Sequence, residues 1–289
     1  MPSFTTRYRS LDVQGRRLFY REAGDPAAPT LVLLHGFPAS SFMFRELIAD
    51  LSDAYHLVAP DHLGFGHSDA PPVDEFPYTF DALADLTHDL LTKLGLDRFA
   101  LYVQDYGAPI GFRIASEHPE QITAIVSQNG NAYLDGLTDF WGPLLAFASD
   151  GMTNAAAVRQ SLELDGQRWV YAHGVPAERT DRLSPDTWTL DQAGLDRPGN
   201  KDIQLALFRD YRFNLDRYPA FQAYLRDNSP PLLAVWGEHD EIFGPAGARA
   251  FARDVPDAEI HLLDAGHFAL ETHGAEIAVL TRAFLARVL

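Results

Sequence analysis

The sequence predicts an α/β fold, a mostly parallel twisted sheet flanked by helices and interrupted once by a helical insertion. Three observations predict it. Apolar runs of strand length, such as Leu31-Val32-Leu33-Leu34, alternate along the chain with segments whose leucines recur at helical spacing. The runs are continuously apolar rather than alternating in polarity, the pattern of strands buried on both faces. Between about residues 131 and 219 the alternation stops; strands resume only at Leu232-Leu233-Ala234-Val235-Trp236.

Taken in order, residues 8–13 and 17–21 flank Gln14-Gly15 and predict a hairpin. The run 31–34 ends at His35-Gly36-Phe37-Pro38, and a helix is expected from about Ser40. A strand at 56–59 closes in a glycine-bearing loop that reaches Ser68. Leu83, Leu86, Leu90, Leu91 and Leu94 then mark a helix stopped by Gly95. Phe99, Leu101 and Val103 form the next strand. It ends abruptly in Gln104-Asp105-Tyr106-Gly107, with Pro109 in the first turn of a following helix, where a missing N–H costs nothing. A strand at 122–127 precedes the insertion. After it come strands at 232–236 and 259–263, a helix at 246–254, and a final helix with Ile277, Leu280, Phe284 and Val288 on one face. The expected division is a core of residues 1–130 and 220–289 with a helical cap over 131–219. In such sheets ligands bind beyond the carboxyl ends of the strands.

At 289 residues and 46% hydrophobic, the chain has enough apolar surface for one large core. Its net charge of −17 comes without any basic cluster, which excludes nucleic acid and anionic membrane as partners. With no cysteine, disulfides, thiolate metal sites and a Cys nucleophile are excluded. Histidine spacing nowhere resembles a metal motif such as HExxH, so no metal and no cofactor is expected. The N-terminus lacks the apolar core of a signal peptide, and no stretch approaches the roughly 18 apolar residues of a membrane span. A cytoplasmic monomer or homodimer is expected.

Three strand ends carry groups able to cooperate: Asp105, then Gly237-Glu238-His239-Asp240, then Asp264-Ala265-Gly266-His267. The order is nucleophile, acid, histidine. With a strand–turn–helix around its first member, it resembles the nucleophile elbow of the α/β-hydrolase superfamily, with Asp in place of the usual Ser and Val103 in place of the usual first Gly. An ionised Asp is already an anion and can displace a leaving group from saturated carbon, forming an ester. His267 would then activate water to hydrolyse that ester, steadied by Asp240, which is preferred over Glu241 for its place directly beyond the strand. The oxyanion formed on the Asp105 carboxyl group would be met by the backbone N–H groups of Phe37 and Tyr106.

Within the superfamily, Gln104-Asp105-Tyr106-Gly107 resembles the epoxide hydrolase and haloalkane dehalogenase branch, which commonly carries Trp where Tyr106 stands. Asp240 matches the acid position of epoxide hydrolases and of some dehalogenases; others place theirs where this chain has Gln128-Asn129. In the cap, Phe208-Arg209-Asp210-Tyr211-Arg212 resembles a ring-opening tyrosine motif of epoxide hydrolases. Arg168-Trp169-Val170-Tyr171-Ala172-His173 resembles the stretch of a subgroup that uses histidine for the second donor. The resemblance implies Tyr211 and His173 as the ring-opening pair, with Trp141, Tyr171 and Pro38 around the substrate. The expected activity is hydrolysis of small, mainly apolar epoxides. The alternatives are haloalkane dehalogenation, with Tyr106 and Trp141 or Trp169 cradling the halide, and a small-molecule binding protein without turnover.

Overall fold

The apolar runs become one eight-stranded sheet ordered β1-β2-β4-β3-β5-β6-β7-β8 in a computed structural model that describes residues 5–289. The signal-peptide expectation draws partly on residues 1–4, which lie outside this range. The strands are β1 (Arg7–Val13), β2 (Arg16–Ala23), β3 (Thr30–Leu34), β4 (His56–Pro60), β5 (Phe99–Gln104), β6 (Ile122–Gln128), β7 (Leu232–Gly237) and β8 (Glu259–Leu263). β1 and β2 form the expected hairpin, turning on Gln14 and Gly15 at φ +53° and +76°, left-handed conformations that match the twist of the strands. β2 also runs antiparallel to β4, and the remaining pairings are parallel. Every residue of β4, β5 and β7 is buried, as their unbroken apolar character requires of strands covered on both faces.

The helices are α1 (Arg45–Leu51), α2 (Phe80–Lys93), α3 (Gly107–Glu117), α4 (Trp141–Asp150), α5 (Ala155–Gln160), α6 (Leu164–Ala172), α7 (Pro185–Leu195), α8 (Asn200–Asp210), α9 (Arg212–Asn228), α10 (Pro245–Ala250) and α11 (Ala269–Val288). α2 shows how closely local chemistry sets an element. The Thr79 hydroxyl accepts from the Ala82 N–H at 3.1 Å, Leu83, Leu86, Leu90 and Leu91 are buried, and Gly95 at φ +73° follows the end. No helix among the described residues is long and apolar enough to cross a membrane.

Between β6 and β7 the chain adds no strand to the sheet and builds α4 to α9 instead. The last of these runs past residue 219 to Asn228, so the helical segment reaches almost to β7. Arg113 of α3 fastens α9 to the core by donating to Asn214 Oδ1 at 2.8 Å while also binding Asp81 at 2.6 Å. The carboxyl ends of the parallel strands therefore face a helical roof that is anchored from below.

Candidate active site

The Asp105 turn is the sharpest feature of that edge. Asp105 has φ +47°, a left-handed conformation uncommon outside glycine and costing on the order of 1–3 kcal/mol. Its carbonyl accepts from the Ala108 N–H at 2.9 Å, so α3 begins at once and turns the side chain out of the sheet. Gly107 makes this packing possible, because a Cβ there would overlap the Leu34 carbonyl. The Phe37 N–H donates to Asp105 Oδ1 at 2.7 Å, and the Tyr106 amide also faces the carboxylate. Burial raises the Asp105 pKa above the ordinary carboxylate value; His267 and the two amides oppose that rise without cancelling it.

His267 stands on the other side of the same carboxylate, its Nε2 3.8 Å from Asp105 Oδ2. Its Nδ1 lies 2.8 Å from Asp240 Oδ2, which also accepts from Asn129 Nδ2 at 2.7 Å; Asp240 Oδ1 accepts from the Ile242 N–H at 2.7 Å. Burial alone would lower the His267 pKa, but the charge and hydrogen bond of Asp240, with Asp105 beyond, hold it above the ordinary imidazole value. Gln104 Nε2 lies 2.9 Å from His267 Nε2. With Gln104 donating, the imidazole carries its proton on Nδ1, toward Asp240, and keeps its lone pair on Nε2. Gln104 and Asn129 were not anticipated as site residues. Their one sequence signal is an amide at the end of an otherwise apolar strand. Glu241 is exposed and does not reach the imidazole.

Above Asp105 lies a cavity of about 250 Å³ walled by Phe37, Tyr106, Trp141, Trp169, Phe208 and Ile242, among others. The Tyr106 hydroxyl is buried with no hydrogen-bond partner among the described residues. Trp141 lines the cavity, but its indole N–H donates to the Ile242 carbonyl at 2.7 Å. That corrects the expectation that Trp141 cradles a halide, since the donor is already engaged. Tyr211 is buried against the Trp141 ring, centroids 4.2 Å apart, and 5.9 Å from the Tyr106 ring, but it is not on the cavity wall. Its hydroxyl neighbours that of Tyr218, which accepts from Asn131 Nδ2 at 3.2 Å. Burial first, then Tyr218 and the charge of Asp105, push the Tyr211 phenol well above its ordinary range and keep it a neutral donor. Tyr218 had no recognisable motif in the sequence.

Three expected substrate neighbours are not on the wall of this cavity. His173 caps the carboxyl end of α6, which carries its ring out to the cavity mouth; its side chain is 37% exposed and its Nε2 lies 2.8 Å from Glu241 Oε1. Tyr171 points toward the core, its hydroxyl donating to Asp191 Oδ2 at 2.6 Å and its ring stacking on Phe268 at 4.0 Å. Pro38 lines a separate cavity of about 190 Å³ with Gly64, Asp191 and Gln204. His35 and His62 brace the Phe37 loop, His62 N donating to His35 Nε2 at 3.1 Å; burial lowers the His35 pKa to about 4 and keeps it neutral. Glu238, His239 and Asp264 bring ligand atoms within 4.8 Å of one another, but all are exposed and outside the cavity.

Residues 29–274 match the family model described as alpha/beta hydrolase fold. The chain is 44% identical over 284 residues to an uncharacterized hydrolase, YNR064C, of Saccharomyces cerevisiae, covering 96% of this chain and 97% of that one. It is 39% identical over 280 residues to a haloalkane dehalogenase of Mycolicibacterium paratuberculosis, covering 92% and 87%. Among solved structures, the epoxide hydrolase CorEH superposes with a TM-score of 0.80 at 20% identity, covering 99% of this chain and all of that one. The haloalkane dehalogenase DbeA of Bradyrhizobium elkanii superposes at 0.79 and 24%, covering 98% and 100%. The chain is a hydrolase and belongs to the α/β-hydrolase superfamily, in the branch that holds the haloalkane dehalogenases and epoxide hydrolases.

Proposed function

We propose that the protein hydrolyses epoxides to diols through an ester on Asp105. The observation that carries the covalent route is the carboxylate at the floor of an apolar cavity, Oδ1 held by the Phe37 amide and Oδ2 facing His267. In the first step Oδ2 attacks an epoxide carbon, the carbon–oxygen bond of the ring breaks, and the alkoxide takes a proton from a phenol. In the second, His267 removes a proton from water as it adds to the Asp105 carboxyl carbon; the oxyanion rests on the Phe37 and Tyr106 amides. The ester bond then breaks, the departing oxygen takes the proton held by His267, and the proton left on the Asp105 carboxyl group returns to the phenolate, so the diol leaves and both the carboxylate and the phenol are restored.

The choice of epoxide over halide is supported by the donors present. Tyr106 on the cavity wall and Tyr211 behind it, beside Tyr218, are neutral phenols near Asp105, suited to an alkoxide, whereas the Trp141 N–H is engaged and position 106 offers no indole. Haloalkane dehalogenation is the second reading, favoured by the full-length likeness to an enzyme of that name. A parallel assay of purified protein on epoxides and alkyl halides separates them. Diol formation is expected; halide release without diol would reverse the assignment, and neither product would point to a protein that binds without turnover.

A further inference from the structure

Of the cavity's twelve lining residues, six are aromatic: Phe37, Tyr106, Phe140, Trp141, Trp169 and Phe208. Two of these stand at the mouth. Phe140 precedes α4, Trp169 lies in α6, and their rings stack at 5.8 Å with planes 7° apart, each more than one-third exposed. Trp169 stacks in addition on His173 at 4.6 Å, and His173 is held by Glu241. Phe140 has no such anchor beyond an edge contact to Trp141 at 6.0 Å. The pair thus joins one braced ring to one lightly held ring at the entrance of a cavity whose inner wall is also aromatic.

Resting on the epoxide reading, we propose that the enzyme selects epoxides bearing an aryl group, with Trp169 as the residue that reads the ring. Phe140 swings aside, and the incoming ring takes a face of Trp169 before passing inward to meet Phe37 and Phe208. Those two already meet each other edge to face at 5.0 Å and 66°. An alkyl chain of equal length fills the same volume but gains nothing from the ring quadrupoles that favour stacked and edge-to-face pairs. Each such pair adds enough to change a rate ratio by about two- to tenfold.

The test compares kcat/KM for styrene oxide and 1,2-epoxyhexane in the wild type, Trp169→Leu and Trp169→Phe. The wild type is expected to prefer the aryl substrate by about tenfold or more; Leu should lower that ratio about tenfold and Phe should restore most of it. An unchanged ratio in Trp169→Leu, or a wild type without aryl preference, overturns the inference. Tryptophan fluorescence titrated with 1-phenyl-1,2-ethanediol and hexane-1,2-diol reads the same preference without turnover. If no epoxide yields diol while the aryl diol binds more tightly, the aryl selectivity stands and the epoxide reading fails. If diols form but both bind alike and the rate ratio is flat, the reverse holds.

Discussion

The two sides of Asp105 are built differently. Toward His267 the polar groups answer one another in sequence, Asn129 to Asp240, Asp240 to His267, and Gln104 to the far nitrogen of the same ring. Toward the cavity, aromatic rings meet edge to face, tilted or stacked, and the Tyr106 hydroxyl has no hydrogen-bond partner among the described residues. A continuous hydrogen-bond chain holds its members in one geometry, because each broken link strands a buried polar group, although Gln104 Oε1 has no partner among the described residues. Ring packing is directional but soft, and so tolerates change of shape. The contrast teaches that, in the proposed reaction, activation of water rests on the core sheet, whereas ring opening and substrate choice draw on the helices above it.

The largest expected effect tests where the two sides meet. Asp105→Asn removes the nucleophile while keeping its shape, and turnover should drop by about 10⁴-fold or more, measured as diol or halide release. Residual activity within tenfold of the wild type would exclude the covalent route. Next, His267→Gln should spare the first step and stall the second. Steady-state turnover is expected to fall by about 10³-fold, with a substrate-sized mass added to the Asp105 peptide; an unmodified peptide after long incubation with active-class substrates would count against the ester.

Asp240→Asn should cost about 10²- to 10⁴-fold and also move the pH profile. The imidazole acts as a base only when neutral, and its pKa is held above the ordinary value. Activity should therefore fall as pH drops through that raised pKa. Without the Asp240 charge, burial dominates and the acid limb should shift to lower pH; a limb that stays in place would mean another group titrates. On the soft side, Tyr211→Phe should lower epoxide turnover by roughly 10- to 100-fold with little change in fluorescence-detected diol binding. A neutral result would move the donor role to Tyr106. The smallest effect belongs to Glu241→Gln, which alters only the exposed pairing with His173 and should stay within about threefold in kcat/KM.

The same division governs what the sequence made legible. Asp105, Asp240 and His267 each follow an apolar strand, and period and turn chemistry place strand ends well, so three residues far apart in the chain were brought to one edge on paper. Asn129 and Gln104 were missed because an amide's partner depends on register between strands, which no local pattern encodes. In the helical segment, Trp141 and Trp169 both line the cavity above Asp105. His173 and Tyr171 were not separable from wall residues, since their directions depend on where α6 ends and how it rolls on its neighbours. Pro38 fell on the far side of its own loop for the same kind of reason: one residue of chain decides which cavity a ring faces.

The gap between His267 and Asp105 has a bearing on the order of events. At 3.8 Å it is too long for a hydrogen bond, and the imidazole lone pair already accepts from Gln104. A serine at position 105 would have to surrender a proton across that space before it attacked. On the proposed ester route the carboxylate has none to surrender, so the base would stand idle through the first half of the cycle and be called on only once water enters between the two. On that route timing would be written into spacing: attack first, proton removal second, with the interval kept by a side-chain amide that water must displace.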